Sequence, residues 1–193
     1  MQMTSMFRFS IMIPVLWVAW LAYWLIAARN VKPTRWREPI GSLALHLVPG
    51  ILCIALLTAP RVFPPGLRTR FVPAGHLLPL VGTLCVAAGL GLAVWAGLHL
   101  GRNWSGIVTL KKDHALVCTG PYRTIRHPIY SGLLLALVGT ALAIGEWRGV
   151  LAVLCALIAF LWRIRVEEAR MRRTFAEYEA YRRRSAALIP LLY

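Results

Sequence analysis

Long uncharged runs of apolar residues alternate with basic, turn-rich segments along this chain. The run from Phe9 to Ala28 contains no charged residue and is long enough for a helix to cross the hydrocarbon core of a bilayer. Four more runs of this kind follow, at residues 40–59, 76–100, 128–144 and 150–162. The pattern predicts an all-α, polytopic membrane protein with about five transmembrane helices.

The end of the chain is predicted to be a helical segment outside the apolar region. The fifth span continues as a helix through residues 163–166, and segment 171–184 is basic and amphipathic. Such a segment lies on the membrane surface or packs back over the bundle. We therefore treat residues 1–193 as a single integral membrane domain. Residues 1–75 hold spans one and two, and residues 76–193 form a catalytic core with spans three to five and a cofactor pocket.

The composition excludes a soluble globular domain, because 59% of the residues are hydrophobic and the mean hydropathy is +0.63. The formal net charge of +15 could indicate a nucleic-acid partner, but the apolar runs make charge at a membrane surface the simpler cause. Most of the 22 lysines and arginines fall after spans one, three and five. The positive-inside rule therefore predicts a multi-pass protein with its N-terminus outside, and with its C-terminus and active site at the cytoplasmic face.

Small residues recur at every fourth position of the third span, at Gly89, Ala93, Gly97 and Gly101. Residues at this spacing share one face of a helix, and small side chains there let another helix approach closely in lipid. We therefore predict a helix-packing face. His99, near the end of the same helix, has no partner at the spacing of metal ligands, and no metal site is predicted.

The stretch Gly120–Gly132 joins a basic loop to the fourth span. Pro128 suits the first position of a helix, which places Arg126 and His127 just before a helix N-terminus at the membrane surface. The exposed N–H groups and the positive dipole end of such a helix favour an anionic ligand group. The alternative is a polar loop whose arginine and tyrosine side chains anchor at lipid headgroups.

Two adjacent carboxylates, Glu167 and Glu168, stand where the fifth helix leaves the apolar region. Ionisable groups near membrane depth are costly and indicate a functional site. Surface ion pairs with Arg170 and Arg172 at helical spacing are the alternative explanation. Arg163 lies one turn before Glu167. Its fork of donors suits a substrate carboxylate, and snorkelling to headgroups is the other explanation for it.

Motifs in the second half of the chain resemble those of the isoprenylcysteine carboxyl methyltransferases. The segments His114–Val117, Gly120–Tyr122 and Arg126–Gly132 resemble the HxLV…GxY…RHPxYxG core of that family. The Glu167-Glu168 pair and the residues after it resemble the family's C-terminal EExxLxxxFGxxYxxY…P motif. Met171 and Ala176 stand there in place of the usual Leu and Gly. The resemblance covers residues 100–190, about half of the chain.

The resemblance implies an integral membrane methyltransferase that uses S-adenosylmethionine without a Rossmann domain, and the sequence contains no GxGxxG motif. Arg163 matches the catalytic, substrate-binding position that holds the carboxylate of the acceptor. The acceptor is an isoprenylcysteine-like or other lipophilic molecule that enters from the bilayer, and no nucleic-acid partner is implied. The cofactor-binding positions implied by the resemblance are His114, Ala115, Leu116, Val117, Tyr122, His127, Pro128, Ile129, Tyr130 and Glu167.

Two other functions are consistent with the same residues. Membrane sterol-type reductases share a helical cytoplasmic pocket and an RHPxY-like stretch, but they use NADPH. A non-enzymatic membrane module would bind no soluble cofactor and would tolerate changes at His127 and Glu167. The acceptor also stays open, because a lipid amine, a small thiol or a carboxyl-bearing isoprenoid would each suit such a site.

Overall fold

The computed structural model describes residues 2–30, 34–37, 40–73, 75–101, 109–111 and 116–190. The α-helices in these ranges are α1 (Gln2–Ala27), α2 (Ile40–Thr58), α3 (Leu77–Leu100), α4 (Pro128–Ile144), α5 (Trp147–Thr174) and α6 (Tyr178–Arg183). Short 3-10 helices are found at Ala28–Asn30, Pro60–Val62, Pro65–Arg68 and Gly120–Arg123. A short antiparallel pair, β1 (Thr34–Arg37) with β2 (Thr109–Lys111), lies outside the helices. The sequence analysis did not predict this pairing.

Each predicted span forms a helix. Helices α3 and α5 are long and apolar enough to cross a bilayer, and shorter apolar helical stretches occur at Ile11–Ala27, Leu47–Thr58 and Pro128–Ile144. The predominantly helical, apolar architecture is therefore confirmed. The number of helices that cross the bilayer, five in our prediction, and the side on which each terminus lies stay predictions.

Helix α4 occupies the centre of the bundle, because it contacts both α3 and α5. Helix α1 packs beside α3, and α2 packs beside α5. Trp17 of α1 also reaches α4, where its Nε1 donates a hydrogen bond of 3.2 Å to Thr140 Oγ1. The buried core between α2, α4 and α5 consists of Cys53, Leu56, Leu137, Ala152 and Ala156.

Helices α3 and α4 run antiparallel and meet backbone to backbone at two pairs of glycines. Gly82 lies against Gly139, and Gly89 lies against Gly132. A Cβ atom added at any of the four would overlap the carbonyl oxygen of the partner glycine. Such contacts let helices approach closely where a side chain would hold them apart. They place the start of α4 beside the C-terminal half of α3.

The predicted small-residue face of α3 is divided between two helices. Gly89 and Ala93 lie against α4, whereas Gly97 packs on the ring of Trp24 in α1. A Cβ added at Gly97 would lie 2.6 Å from a carbon of that ring. Nothing in the described ranges lies within 4 Å of a Cβ added at Gly101. A spacing of four residues is longer than one helical turn, so a row at that spacing winds around the helix and faces successive neighbours.

Two predicted boundaries decide where the polar residues stand. Helix α4 begins at Pro128 with His127 as its N-cap residue, as the sequence indicates. Helix α5 extends beyond the predicted span, through Thr174, so one continuous helix carries both an apolar half and a charged half. The predicted segment 171–184 is divided between the last turn of α5 and the short α6, with Phe175 as the C-cap residue of α5.

The opposite end of the bundle is held by a buried arginine. Arg148, in the first turn of α5, donates hydrogen bonds to the carbonyl oxygens of Leu56 (2.9 Å) and Leu57 (2.8 Å) near the end of α2. Its Nε donates to Glu146 Oε2 at 2.6 Å. The side chain therefore satisfies carbonyl groups that have no partner inside α2, and Glu146 balances its charge.

Candidate functional site

The loop before α4 is fixed by a tight turn and by α6. Gly120 has a φ of 57°, and the ring of His99 occupies the space that a Cβ at Gly120 would need. Tyr181 of α6 donates a hydrogen bond of 2.6 Å to the carbonyl oxygen of Tyr122. Both tyrosines are buried, and burial raises the pKa of each phenol, so both stay neutral at physiological pH.

The C-terminal segment pairs with the last residues of the same loop. Arg126 N–H donates to the carbonyl oxygen of Ala186 at 2.8 Å, and His127 N–H donates to that of Ala187 at 3.1 Å. Ser131 Oγ, one turn into α4, donates to the carbonyl oxygen of Leu188 at 2.6 Å. These bonds hold Arg126 and His127 in one orientation at the start of α4.

Glu167 of α5 is the centre of the first carboxylate cluster. Its Oε1 accepts a hydrogen bond of 2.7 Å from the hydroxyl of Tyr130 and one of 3.1 Å from Arg163 Nε. Its Oε2 lies 3.5 Å from His127 Nδ1. These contacts hold the carboxylate in place, and the side chain keeps 20% of its surface exposed.

Flat groups stack beside this carboxylate. The Tyr130 ring lies parallel to the rings of His127 and Phe160, with centroid distances of 5.7 and 4.9 Å. The guanidinium carbon of Arg163 lies 5.7 Å from the centre of the Tyr130 ring. Cation–π contact and stacking thus add to the hydrogen bonds that fix Tyr130 and Arg163.

Glu168 forms a second, more buried cluster. Its Oε1 accepts a hydrogen bond of 2.7 Å from Arg126 Nε, and the two side chains are only 10% and 9% exposed. Arg172 and Arg182 lie farther away, 3.8 and 3.7 Å from Oε2. The surface pairing predicted with Arg172 is therefore present, but the short contact is to Arg126, which the sequence analysis did not connect with Glu168.

His127 connects the two clusters, because its Nδ1 faces Glu167 and its Nε2 lies 3.5 Å from Glu168 Oε1. Burial by itself would lower the pKa of His127. The two carboxylates outweigh burial and raise the pKa above the usual value. The two carboxylates thus favour the imidazolium form more than in a free histidine, although His127 stands at the positive end of α4.

The structure brings together part of the predicted site. His127, Tyr130, Arg163 and Glu167 are in direct contact, as described above. Tyr122, Pro128 and Ile129 belong to the adjoining loop and first turn of α4, and Leu116 and Val117 lead into that loop. His114 and Ala115 lie outside the described residues. Within the described ranges no group of three or more His, Cys, Asp or Glu side chains could hold a metal ion.

Sequence reasoning missed several residues that position the site. Phe160 could have been found, because it precedes Arg163 by about one helical turn and so shares its face. Ser131 was inside the recognised motif without an assigned role. The backbone of residues 186–188 carries no side-chain signal at all, since it acts through its amide and carbonyl groups.

Comparisons with known proteins found a matching family model, several similar proteins and a solved structure. Residues 77–178 match a family model described as "Phospholipid methyltransferase". Similar proteins include a protein-S-isoprenylcysteine O-methyltransferase from Schizosaccharomyces pombe, 33% identical over 66% of this chain and 55% of the relative. Another is the cobalt-zinc-cadmium resistance protein CzcN from Cupriavidus metallidurans, 35% identical over 59% of this chain and 51% of the relative.

One solved structure has the same fold. The eukaryotic intramembrane Ras methyltransferase ICMT (isoprenylcysteine carboxyl methyltransferase) matches with a TM-score of 0.58 and 27% sequence identity. The match covers 76% of this chain and 52% of that chain. This chain thus spans about half the length of the relatives that it resembles.

Proposed function

We infer the function from one premise: this chain belongs to the phospholipid methyltransferase family. The resemblance to isoprenylcysteine carboxyl methyltransferases in its motifs is confirmed by its relatives and by the matching fold. We propose that the protein is an integral membrane methyltransferase that uses S-adenosylmethionine and methylates a lipophilic acceptor. Neither the relatives nor the solved structure reported above supports the reductase alternative.

The observation that carries this proposal is the carboxylate of Glu167, which is fixed by hydrogen bonds on a side chain that keeps 20% of its surface exposed. A carboxylate has about four acceptor positions, and Oε1 already accepts from Tyr130 and Arg163. Oε2, which faces His127 at 3.5 Å, keeps acceptor capacity for a ribose hydroxyl or an ammonium group. The cofactor has both kinds of donor, so the residues present fit it.

The roles of the remaining residues follow from their chemistry. Bound S-adenosylmethionine supplies an electrophilic methyl group on a sulfonium. Arg163 presents a planar fork of donors beside Glu167 and matches the charge of an acceptor carboxylate. The N-terminal amides of α4 favour the carboxylate of the amino acid part of the cofactor. A carboxylate acceptor needs no general base, so these residues act by positioning and by charge complementarity.

The acceptor is proposed at the level of its class. The name of the family model refers to phospholipids, whereas the names of several relatives refer to isoprenylcysteine. Both kinds of compound are lipophilic. We propose that an isoprenylcysteine-like carboxylate or another lipophilic acceptor enters from the bilayer, between helices, with the site at the cytoplasmic face. The predicted basic face, which carries α6 and the end of α5, supports that orientation.

Cofactor binding tests the proposal directly. The detergent-purified protein is titrated with S-adenosylmethionine and, separately, with NADPH in a calorimeter. We expect saturable binding of S-adenosylmethionine only, weakened by Glu167→Gln and by His127→Ala. Glu179→Gln, which changes an exposed carboxylate on α6, is the matched control. A folded sample that binds neither compound would rule out the enzyme.

Transfer of the methyl group identifies the acceptor class. Radiolabelled S-adenosylmethionine is supplied with a prenylcysteine analogue or with an amine-bearing phospholipid, and label in the organic extract is counted. We expect label only with an acceptor that the site can hold, and its loss in Arg163→Gln if a carboxylate is the target. Undiminished labelling in Arg163→Gln would contradict the role given to Arg163.

A further inference from the structure

A pocket of about 350 Å³ lies beside the cluster around Glu168. Its lining consists of Arg126, Glu168, Arg182, Arg183 and Ser185. The four residues that form the cluster around Glu167 are not among them, so this pocket adjoins the proposed cofactor and acceptor site without including its residues. Its volume is within the range of pockets that hold small ligands.

The lining has an excess of positive charge. Three guanidinium groups face one carboxylate, and Glu168 already receives its short hydrogen bond from Arg126 Nε. Arg182 is paired with Glu179 outside the lining, so one formal positive charge, that of Arg183, stays unbalanced. An anion would supply that balance, and tetrahedral phosphate oxygens match guanidinium donors well.

Arg126 gives the pocket a preorganised donor. The side chain is 9% exposed, and its Nη1 donates to the carbonyl oxygens of Arg182 and Ser185. Within the described part of the chain its Nη2 forms no hydrogen bond. This nitrogen can therefore donate to a ligand in the pocket while the rest of the guanidinium group stays held in place.

Two more arginines stand at the mouth of the pocket. Arg182 is 42% exposed and donates to Glu179 Oε1 at 3.1 Å. Arg183 is exposed, and among the residues described here it forms no ion pair or side-chain hydrogen bond. It can therefore turn toward a ligand without breaking an existing contact.

We propose that this pocket binds a phosphate group, held by Arg126 from inside and by Arg182 and Arg183 at the mouth. The phosphate belongs either to the headgroup of an anionic lipid or to a soluble compound. Both sources offer the same tetrahedral anion, and both reach a basic face at the membrane surface. The site does not depend on methyl transfer and can be tested in its absence.

The full-length protein in neutral detergent is titrated with inorganic phosphate at constant ionic strength. In a second arm, the protein is reconstituted in nanodiscs of phosphatidylglycerol or of phosphatidylcholine. It is then released for native mass spectrometry, which measures the lipid that stays bound to the protein. The variant is Arg183→Gln, which removes no ion pair or side-chain hydrogen bond among the described residues. Arg173→Gln is the matched control, because Arg173 is exposed near the end of α5 and does not line the pocket.

We expect Arg183→Gln to weaken phosphate binding about three- to fivefold, as for an exposed ion pair, while Arg173→Gln behaves like the parent protein. Selective retention of phosphatidylglycerol that is lost in Arg183→Gln would assign the site to a lipid headgroup. Phosphate binding without such retention would assign it to a soluble compound. The proposal is overturned if both arms show no saturable binding, or if the two variants have equal effects, as general surface attraction predicts.

Discussion

Glu167→Gln and Glu168→Gln should affect different properties of the protein, although the two residues are adjacent: the first should weaken cofactor binding and the second should lower stability. Glu168 neutralises Arg126 in a buried pair with a contact of 2.7 Å. Removing one partner of such a pair leaves a buried charge and costs about 3–5 kcal/mol. Glutamine can still accept a hydrogen bond, so we take the lower end, about 3 kcal/mol. For a protein of this length that corresponds to a fall of roughly 6–12 °C in the unfolding midpoint.

Glu167 is more exposed, and glutamine at that position can still accept from Tyr130 and Arg163. We therefore expect Glu167→Gln to cost about 1.5–2 kcal/mol in stability, less than Glu168→Gln, because Arg163 and His127 lose a carboxylate partner but keep a hydrogen-bond acceptor. Its effect should fall on cofactor binding, because a neutral acceptor forms weaker hydrogen bonds than a carboxylate. A loss of about 1.4 kcal/mol raises the Kd of S-adenosylmethionine about tenfold.

Thermal unfolding in detergent and calorimetric titration of S-adenosylmethionine are measured for both variants and for Glu179→Gln. The control removes an exposed carboxylate that pairs only with exposed arginines among the described residues, so both measurements should stay near those of the parent. The reasoning is refuted if Glu167→Gln lowers the midpoint as much as Glu168→Gln, or if Glu168→Gln weakens cofactor binding without any loss of stability.

Three further predictions concern the helix contacts and His127. Gly132→Ala should lower the free energy of unfolding by about 1–3 kcal/mol, because the added Cβ meets the backbone of α3. Gly91→Ala is the control: nothing lies within 4 Å of its added Cβ, so it should raise the free energy of unfolding by up to about 1 kcal/mol. Equal effects would contradict the backbone contact. Because the folded-state pKa of His127 is raised, its stabilising contribution should be full below the unfolded pKa of about 6.5 and disappear as the pH rises through the folded value. A pH profile of unfolding in which His127→Gln parallels the parent would disprove this. Arg148→Gln should lower the midpoint strongly without changing S-adenosylmethionine affinity, since it acts at the opposite end of the bundle.

The sequence was sufficient for features that depend on neighbours along the chain. Uncharged runs predicted the helices, because their length and composition alone decide whether they can lie in lipid. Pro128 predicted the start of α4, since its ring suits the first helical position. The motif around His127 and Tyr130, with Arg163 and Glu167 one turn apart, predicted a set of residues that the fold does bring together.

Only the tertiary structure decided which partner each polar group has. Tyr130 and Glu167 are 37 residues apart, and Arg126 and Glu168 are 42 apart, so helical spacing could not connect them. The pairing follows from the glycine contacts that set α4 against α3, and from the packing of α5 along α4. The C-terminal segment then holds Arg126 and His127 through backbone groups that every residue has, which is why no side-chain pattern predicted it.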